Sequence, residues 1–227
     1  MSAPDKRFRC FGSKDPSSMK YHDEEWGVPE HDDRALFELI ILEGAQAGLS
    51  WRTVLHRREN YRKAFQGFDP AVVAKYTPEK IDELLLDPGI IRNRRKVESA
   101  VRNAGVFLRV QEEFGSFDEY VWGFVGGKPV MSAFTSWREV LPETEVSGAI
   151  SVDLKRRGFN FVGPTICYAY MQSIGMVNDH LISCFRWQEI VDKYGESLYD
   201  LSELERARES SFYPKKYFFV KIPYMGF

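Results

Sequence analysis

Two pairs of cysteine and histidine stand at opposite ends of this chain, and they constrain its fold more than any other feature. Cys10 and His22 lie near the start, and His180 and Cys184 lie far downstream. The whole sequence holds three cysteines and four histidines, so four of those seven side chains fall into two compact pairs. Two Cys and two His form a standard ligand set for a structural zinc ion, and His-x3-Cys puts both donors on one helical face or in one tight turn. The spacing is not that of a C-x2-C…H-x3-H finger. Taken alone it admits equally a buried thiol with unrelated surface imidazoles. A single metal taking all four donors would tie the beginning of the domain to its end.

At 227 residues the chain can bury a sizeable core as one large domain or two small ones. Hydrophobic and charged fractions of 44% and 28% are those of a soluble globular protein. No run of eighteen apolar residues occurs and residues 1–10 are polar, so neither a membrane span nor a signal peptide is expected. Scarce cysteines argue against a disulfide framework and suit the reducing cytoplasm. A net charge of −2 excludes a general polycation, so nucleic-acid binding would need local patches. Three basic clusters supply them: Arg52 with Arg57, Arg58, Arg62 and Lys63; Arg92 with Arg94, Arg95 and Lys96; and Lys155-Arg156-Arg157. Each alone reads as a solvated helix face, but three in a net-acidic chain point to a polyanionic partner.

Periodicity predicts an all-α fold. Asp32 or Asp33 can cap a helix with Leu36, Phe37, Ile40 and Ile41 on one face, and Glu43 continues the line Leu36–Ile40. After the small-residue run Gly44–Gly48, Ser50 can open a helix bearing Trp51, Val54 and Leu55. Asp69-Pro70 and Thr77-Pro78 pair an N-cap with a first-turn proline. Val97, Ala100, Val101, Ala104 and Leu108 recur at helical spacing. Phe117–Phe124 forms another short helix ended by Gly126-Gly127, and a loop is expected over about 132–148.

Residues 150–174 read as a hairpin of helices: Ile150–Arg157 closed by Gly158, then a turn, then a helix through Ile166, Ala169 and Tyr170. Gly163 would let a ligand approach the backbone, and Pro164 starts the second helix without loss of a needed donor. The amides of that helix start could hold a phosphate. A plain αα-hairpin using Gly163 for packing is the competing reading.

With these pieces together, the chain resembles the 3-methyladenine DNA glycosylase I family, within the helix-hairpin-helix glycosylases. The resemblance covers roughly residues 9–185. It rests on Tyr21-His-Asp-Glu-Glu-Trp-Gly-Val-Pro29, Leu42-Glu-Gly-Ala-Gln-Ala-Gly-Leu-Ser-Trp51, Gly89-Ile-Ile-Arg92, Arg157-Gly-Phe-Asn-Phe-Val-Gly-Pro-Thr-Ile-Cys-Tyr168, Met171-Gln172 and Val177-Asn-Asp-His180. It implies two helical lobes around a cleft, with the terminal segments joined by one structural zinc on Cys10, His22, His180 and Cys184. It also implies hydrolysis of the N-glycosidic bond of 3-methyladenine in alkylated duplex DNA by a monomeric, cytoplasmic, nucleoid-associated repair enzyme that releases the free base. Glu43 then accepts hydrogen bonds from the flipped base and favours its positive charge, with Tyr21 beside it. Trp51, Trp26 and Phe11 wall the slot, where a cationic base gains cation–π energy of about 0.5–2 kcal/mol per contact. Arg92, Lys155, Arg157, Gly163 and Thr165 would grip the DNA backbone. Leu49 would either fill the space left by the base or belong to the core.

Asn178 stands where broader hairpin glycosylases place a catalytic Asp. With no lysine evidently set for a Schiff base, this implies a monofunctional enzyme. Two departures thin the aromatic pocket: Gly12 where the family carries Trp two residues after the first Cys, and Ser18 where it carries Tyr. They leave open a zinc-stabilised DNA-binding or damaged-base-binding protein with lost or altered catalysis. Residues 186–227 lie beyond the resemblance, as an extension of unassigned role with an aromatic and basic end.

Overall fold

The computed structural model describes residues 7–12 and 14–195, and the Phe212–Phe227 stretch lies outside them. The helices run in order α1 (Pro16–Glu24), α2 (Asp33–Gln46), α3 (Trp51–Leu55), α4 (Arg58–Ala64), α5 (Pro70–Val73) and α6 (Pro78–Leu86). They continue with α7 (Arg94–Phe114), α8 (Phe117–Trp122), α9 (Glu145–Arg157), α10 (Pro164–Ser173) and α11 (Phe185–Tyr194). No helix among the described residues is long and apolar enough to cross a membrane.

The cap residues explain most boundaries. Asp32, Ser50, Asp69, Thr77, Asn93 and Ser116 each accept a hydrogen bond from a backbone N–H of the first turn they precede, which satisfies donors the helix cannot use itself. The sequence assigns α2 one apolar face. The structure instead buries it on every side, with Leu36–Ala45 all inaccessible. Such a helix is a central strut, and α3, α7, α8 and α10 pack around it. The core is continuous from Leu36 to Val177, each large side chain contributing roughly 1.5–3 kcal/mol.

Four features differ from expectation. Helix α1 carries the cap-plus-proline signal Asp15-Pro16, with Asp15 accepting from Ser18 N at 2.9 Å, yet its weak apolar periodicity hid it. Helix α9 begins at Glu145, inside the expected 132–148 loop, because Thr144 and Ser147 form a capping box. The all-α reading meets one exception: Val130–Met131 (β1) pairs in parallel with Val177–Asn178 (β2), two residues each and too short to show alternation. The helical domain also continues past residue 185. In α11, Trp187 Nε1 donates to Ser132 O at 2.6 Å, and Ile190 is buried.

The N-terminal segment is held to the end of α10 by Gly27 N to Gln172 O and Glu30 N to Ile174 O, both 3.0 Å. Gly175 sits at φ +71°, and a Cβ there would lie 2.2 Å from the Val28 carbonyl carbon. Only glycine tolerates both that backbone conformation and that approach.

Candidate functional site

Helices α1, α2 and α3 deliver Tyr21, Glu43 and Trp51 to one place. The Tyr21 and Trp51 rings lie 5.2 Å apart, inclined at 45°. An ionic net braces the arrangement. Arg58 on α4 donates to Glu25 beyond α1 and to Glu38 on α2, and Arg62 reaches Glu38 at 2.9 Å. On the other side His56, just after α3, donates to Asp15 at 3.0 Å. That bond and those from Ser18 to Asp15, which are the stronger cause, hold the Asp15 carboxyl down at about 2.

Glu43 is fully enclosed, and burial pushes its carboxyl up to about 8, against a smaller opposing effect of the Ser173 hydroxyl. Its Oε2 has no hydrogen-bond partner, and neither has Nε1 of Trp51. Leaving such atoms unpaired costs about 1–3 kcal/mol each, so an acceptor and a donor stand unspent beside an aromatic pair. Tyr21 shares this enclosure: burial, and secondarily the Glu43 charge, raise its phenol well above the ordinary range.

The other expected aromatics gather elsewhere. Phe11 meets Trp26 edge-on at 5.0 Å and His22 at 4.7 Å, and Trp26 meets His180 at 4.6 Å. Among the described residues neither Phe11 nor Trp26 makes a ring contact with Tyr21 or Trp51. Ser18 spends its hydroxyl on Asp15 at 2.6 Å. Gly12 has φ +82°, and a Cβ there would stand 2.7 Å from Ser18 O. This backbone therefore excludes an aromatic at position 12. Trp137, from the loop after β1, joins this group unforeseen. Its ring lies 6.2 Å from Phe11 and 6.1 Å from Trp26, and its Nε1 donates to Cys10 O at 2.9 Å. A contact across 127 positions leaves no local signal; only an isolated tryptophan in a polar loop could have drawn notice.

Cys10, His22, His180 and Cys184 converge, with all four ligand atoms within 4.8 Å of one another. The sulfur-to-nitrogen distances are 3.4, 3.4, 3.3 and 3.6 Å. A tetrahedral zinc with ordinary Zn–S and Zn–N bonds sets that separation at about 3.5 Å. The outer ring nitrogens fix the tautomers: His22 Nδ1 donates to Asp23 at 2.7 Å and His180 Nε2 donates to Trp26 O at 2.9 Å. Both inner nitrogens therefore present lone pairs to the centre, as metal ligands do. Asp23 is itself held by Arg9 at 2.7 Å. The two thiols are pulled apart, Cys184 downward mainly through its bond to Cys10, and Cys10 upward. A cation between them removes that conflict.

At the hairpin, Gly158 caps α9 in the left-handed conformation. The turn is held from beneath: Val162 O accepts from Ser151 Oγ at 2.6 Å, and Asn103 bonds both the N–H and the C=O of Asn160. A Cβ on Gly163 would meet nothing within 4 Å, and its φ is −64°. Neither packing nor strain requires glycine there, so the packing alternative loses its support. Lys155 and Thr165 are exposed.

Arg157 corrects the expectation of a backbone grip. Its side chain is 15% exposed and bonds Asp153 and Glu113, each at 2.6 Å. It also lies over the Phe114 ring at 4.8 Å. The residue closes α9 onto α7 and is not presented outward. Leu49 is 42% exposed in the turn after Gly48, which removes the core alternative. Lys96 steadies that turn by donating to Ala45 O and Ala47 O at 2.8 and 2.7 Å. Arg92 is exposed. Asn178 is buried, and its amide donates to Trp187 O at 3.2 Å, tying β2 to α11.

A family model described as methyladenine glycosylase matches residues 11–187. The chain belongs to the methyladenine glycosylase family. Among its relatives, DNA-3-methyladenine glycosylase 1 of Escherichia coli is 49% identical over 177 residues, 78% of this chain and 95% of the relative. The DNA-3-methyladenine glycosylase of Haemophilus influenzae is 51% identical over 166 residues, 73% of this chain and 90% of the relative. A structure of 3-methyladenine DNA glycosylase I from Staphylococcus aureus, solved for its recognition of 3-methyladenine, superposes with a TM-score of 0.76. It is 38% identical, across 78% of this glycosylase-family chain and 94% of its own.

Proposed function

We propose that this chain is a monofunctional DNA glycosylase of base excision repair that hydrolyses the N-glycosidic bond of 3-methyladenine in alkylated duplex DNA. One observation carries the reading. The enclosed Glu43 Oε2 and Trp51 Nε1 lack partners beside the Tyr21 ring. Such an acceptor and donor suit the edge of a purine, and the rings suit its faces. The relatives' named activity supplies the base.

The leaving base already carries positive charge, so the site supplies less push than removal of a normal base demands. Burial keeps the Glu43 carboxyl largely protonated at neutrality. A cationic base entering against it favours the carboxylate, and the displaced proton passes to solvent. Tyr21 lies in the same field and completes the wall. The cation is thus selected by a charge that exists fully only in its presence. Asn178, a neutral amide, supplies no charge to this chemistry; its N–H donates to Trp187 O, and its buried Oδ1 has no partner.

We assign the Cys10, His22, His180 and Cys184 centre to one structural zinc per chain. When bound it supplies a closed four-ligand crosslink and leaves no position for substrate. Adjacent to Tyr21, His22 anchors the wall of the slot, while Phe11 and Trp26 line the clasp. The α9–α10 pair serves as the DNA-reading hairpin of a two-lobed glycosylase fold. We assign a phosphate contact to Gly163–Thr165, further backbone contacts to the exposed Lys155 and Arg92, and the vacated base position to Leu49. A monomer acting in the cytoplasm on nucleoid DNA fits this assignment.

The test is release of free 3-methyladenine from methylated duplex DNA by wild type and Glu43→Gln. Wild type is expected to release it and the variant to be strongly impaired. No release by wild type would overturn catalysis in favour of a zinc-stabilised binding protein. An unimpaired Glu43→Gln would overturn the role of the carboxylate.

A further inference from the structure

A cleft of about 400 Å³ opens between α7 and the hairpin turn, lined by Arg95, Glu98, Ser99, Arg102, Asn160 and Phe161. We propose that this cleft is a second DNA-backbone site, in which Arg95 and Arg102 hold phosphates of the strand carrying the extruded nucleotide. The proposal rests on the glycosylase reading above and extends it to residues outside the hairpin's own contacts.

The pairing of arginines singles out this face. Arg34, Arg52, Arg58, Arg62, Arg94, Arg156, Arg157 and Arg186 are all ion-paired within the fold. Arg57 donates to Thr53 O on α3, and Arg109 to Gly105 O of its own helix α7. Among the described residues, Arg92, Arg95, Arg102 and Arg138 engage no protein group. Three of these four lie on or just before α7, and two line the cleft. Residues seven apart share a helix face, here separated by about 10 Å along the axis. Glu98 also lines the cleft and approaches Arg94 at 3.6 Å, so it sets one negative charge against the two guanidiniums.

The surroundings place the cleft between the two expected DNA contacts. On one side Lys96, adjacent to Arg95, holds the carbonyls of Ala45 and Ala47 and so the Leu49 turn. On the other side Asn160 and Phe161 belong to the hairpin turn. Phe161 takes a left-handed φ of +55°, a conformation that costs a non-glycine residue about 1–2 kcal/mol. Two bonds from Asn103 to the Asn160 backbone and contact with Gly44 hold it there. The backbone of Asn160 is therefore fixed while its side-chain amide stays unbonded toward the cleft. Two guanidiniums and one free amide on rigid supports match phosphate oxygens. Phe161, which lines the cleft, approaches Gly44 ahead of the Leu49 turn and stands two residues before Gly163.

The test compares wild type with the Arg95→Ala/Arg102→Ala double variant by the salt dependence of binding to a duplex carrying a tetrahydrofuran abasic analogue. Each neutralised phosphate contributes a slope of about 0.9 in log K against log salt, so the double variant is expected to flatten the slope by about two. Affinity for free 3-methyladenine and the release rate at saturating DNA are expected to stay unchanged. Arg95→Lys/Arg102→Lys keeps the slope if charge is what matters, and Arg138→Ala is the arginine control that leaves it alone. A double alanine variant with the wild-type slope overturns the proposal. If the slope flattens but wild type releases no base, the cleft stands and the glycosylase reading falls. If release persists with an unchanged slope, the cleft falls alone.

Discussion

The clasp and the slot share a helix, since His22 and Tyr21 are neighbours on α1, yet they treat polar atoms in opposite ways. In the clasp every outer nitrogen has a partner and the four inner donors face one another. In the slot a carboxylate oxygen and an indole N–H are buried with none. The first pattern stabilises the fold by closing on itself. The second costs stability and leaves binding capacity for something that arrives later. Charge shows the same contrast. In the clasp the two thiols shift in opposite directions through their mutual bond, Cys184 down and Cys10 up, whereas in the slot burial pushes Glu43 toward the neutral acid.

The clasp should give the largest effect on stability. Cys184→Ser removes one of four ligands from a site joining Cys10 to the end of the domain. Structural zinc sites are worth about 10 kcal/mol or more in isolated fingers. Here the N-terminal segment is also held by Gly27, Glu30 and Gly175, so a smaller loss is expected, on the order of 3–5 kcal/mol. That corresponds to roughly 6–20 °C in a chain of this size. Metal content by elemental analysis and thermal unfolding check it. A Cys184→Ser protein that keeps stoichiometric zinc and its full melting temperature would break the contrast between the two regions.

The slot should behave inversely. Glu43→Gln is expected to slow base release by roughly 10²–10³-fold, as loss of one preorganised electrostatic group does, while making the protein more stable in alkali. The sign follows from the raised carboxyl. Between about pH 4.5 and 8 the folded protein keeps a proton that the unfolded chain has lost, so wild-type stability falls as pH rises through that window. Glutamine carries no such penalty. The difference should reach a few kcal/mol by pH 8 and vanish near pH 4. Denaturant unfolding at the two pH values reads it, and equal pH slopes for the two proteins would show that Glu43 is not an isolated buried acid.

Much of this was legible beforehand where a local rule decides. The caps at Asp32, Ser50, Asp69 and Thr77 follow from residue type and spacing, whereas the gathering of Cys10, His22, His180 and Cys184 was left open by spacing and came from the family resemblance. Helix α1 was equally legible through Asp15-Pro16, but its polar sequence hid it from a search for apolar periodicity. What escaped depends on partners distant in the chain. Arg157 looked like part of a basic triplet until Glu113, on another helix, was seen to bind it. Nothing near Glu43 in sequence foretells that its Oε2 lacks a donor. The Ser18 and Gly12 departures acquire their meaning only once Asp15 and the backbone of residue 18 stand beside them.

Trp51→Phe sharpens the comparison on a smaller scale. The substitution keeps an aromatic face toward Tyr21 and deletes an N–H that no protein atom uses. Stability should hold or improve slightly, by about 1 kcal/mol at most, while affinity for free 3-methyladenine drops about tenfold, the worth of one hydrogen bond to a charged or polar edge. Calorimetric titration with the free base measures it. Unchanged affinity would mean that the indole N–H does not meet the base.

Trp137 lies on the border between the two regions and should give the smallest effect. Its Nε1 bonds the carbonyl of the metal-ligating residue Cys10, while its ring approaches Phe11 and Trp26. By geometry it belongs to the clasp. Trp137→Phe removes one side-chain-to-backbone bond, worth about 0.5–1.5 kcal/mol, and should lower the melting temperature by about 1–6 °C with base affinity intact. The reverse outcome, weakened base binding at an unchanged melting temperature, would move Trp137 into the slot. The loop after β1 would then supply the aromatic surface that Gly12 cannot.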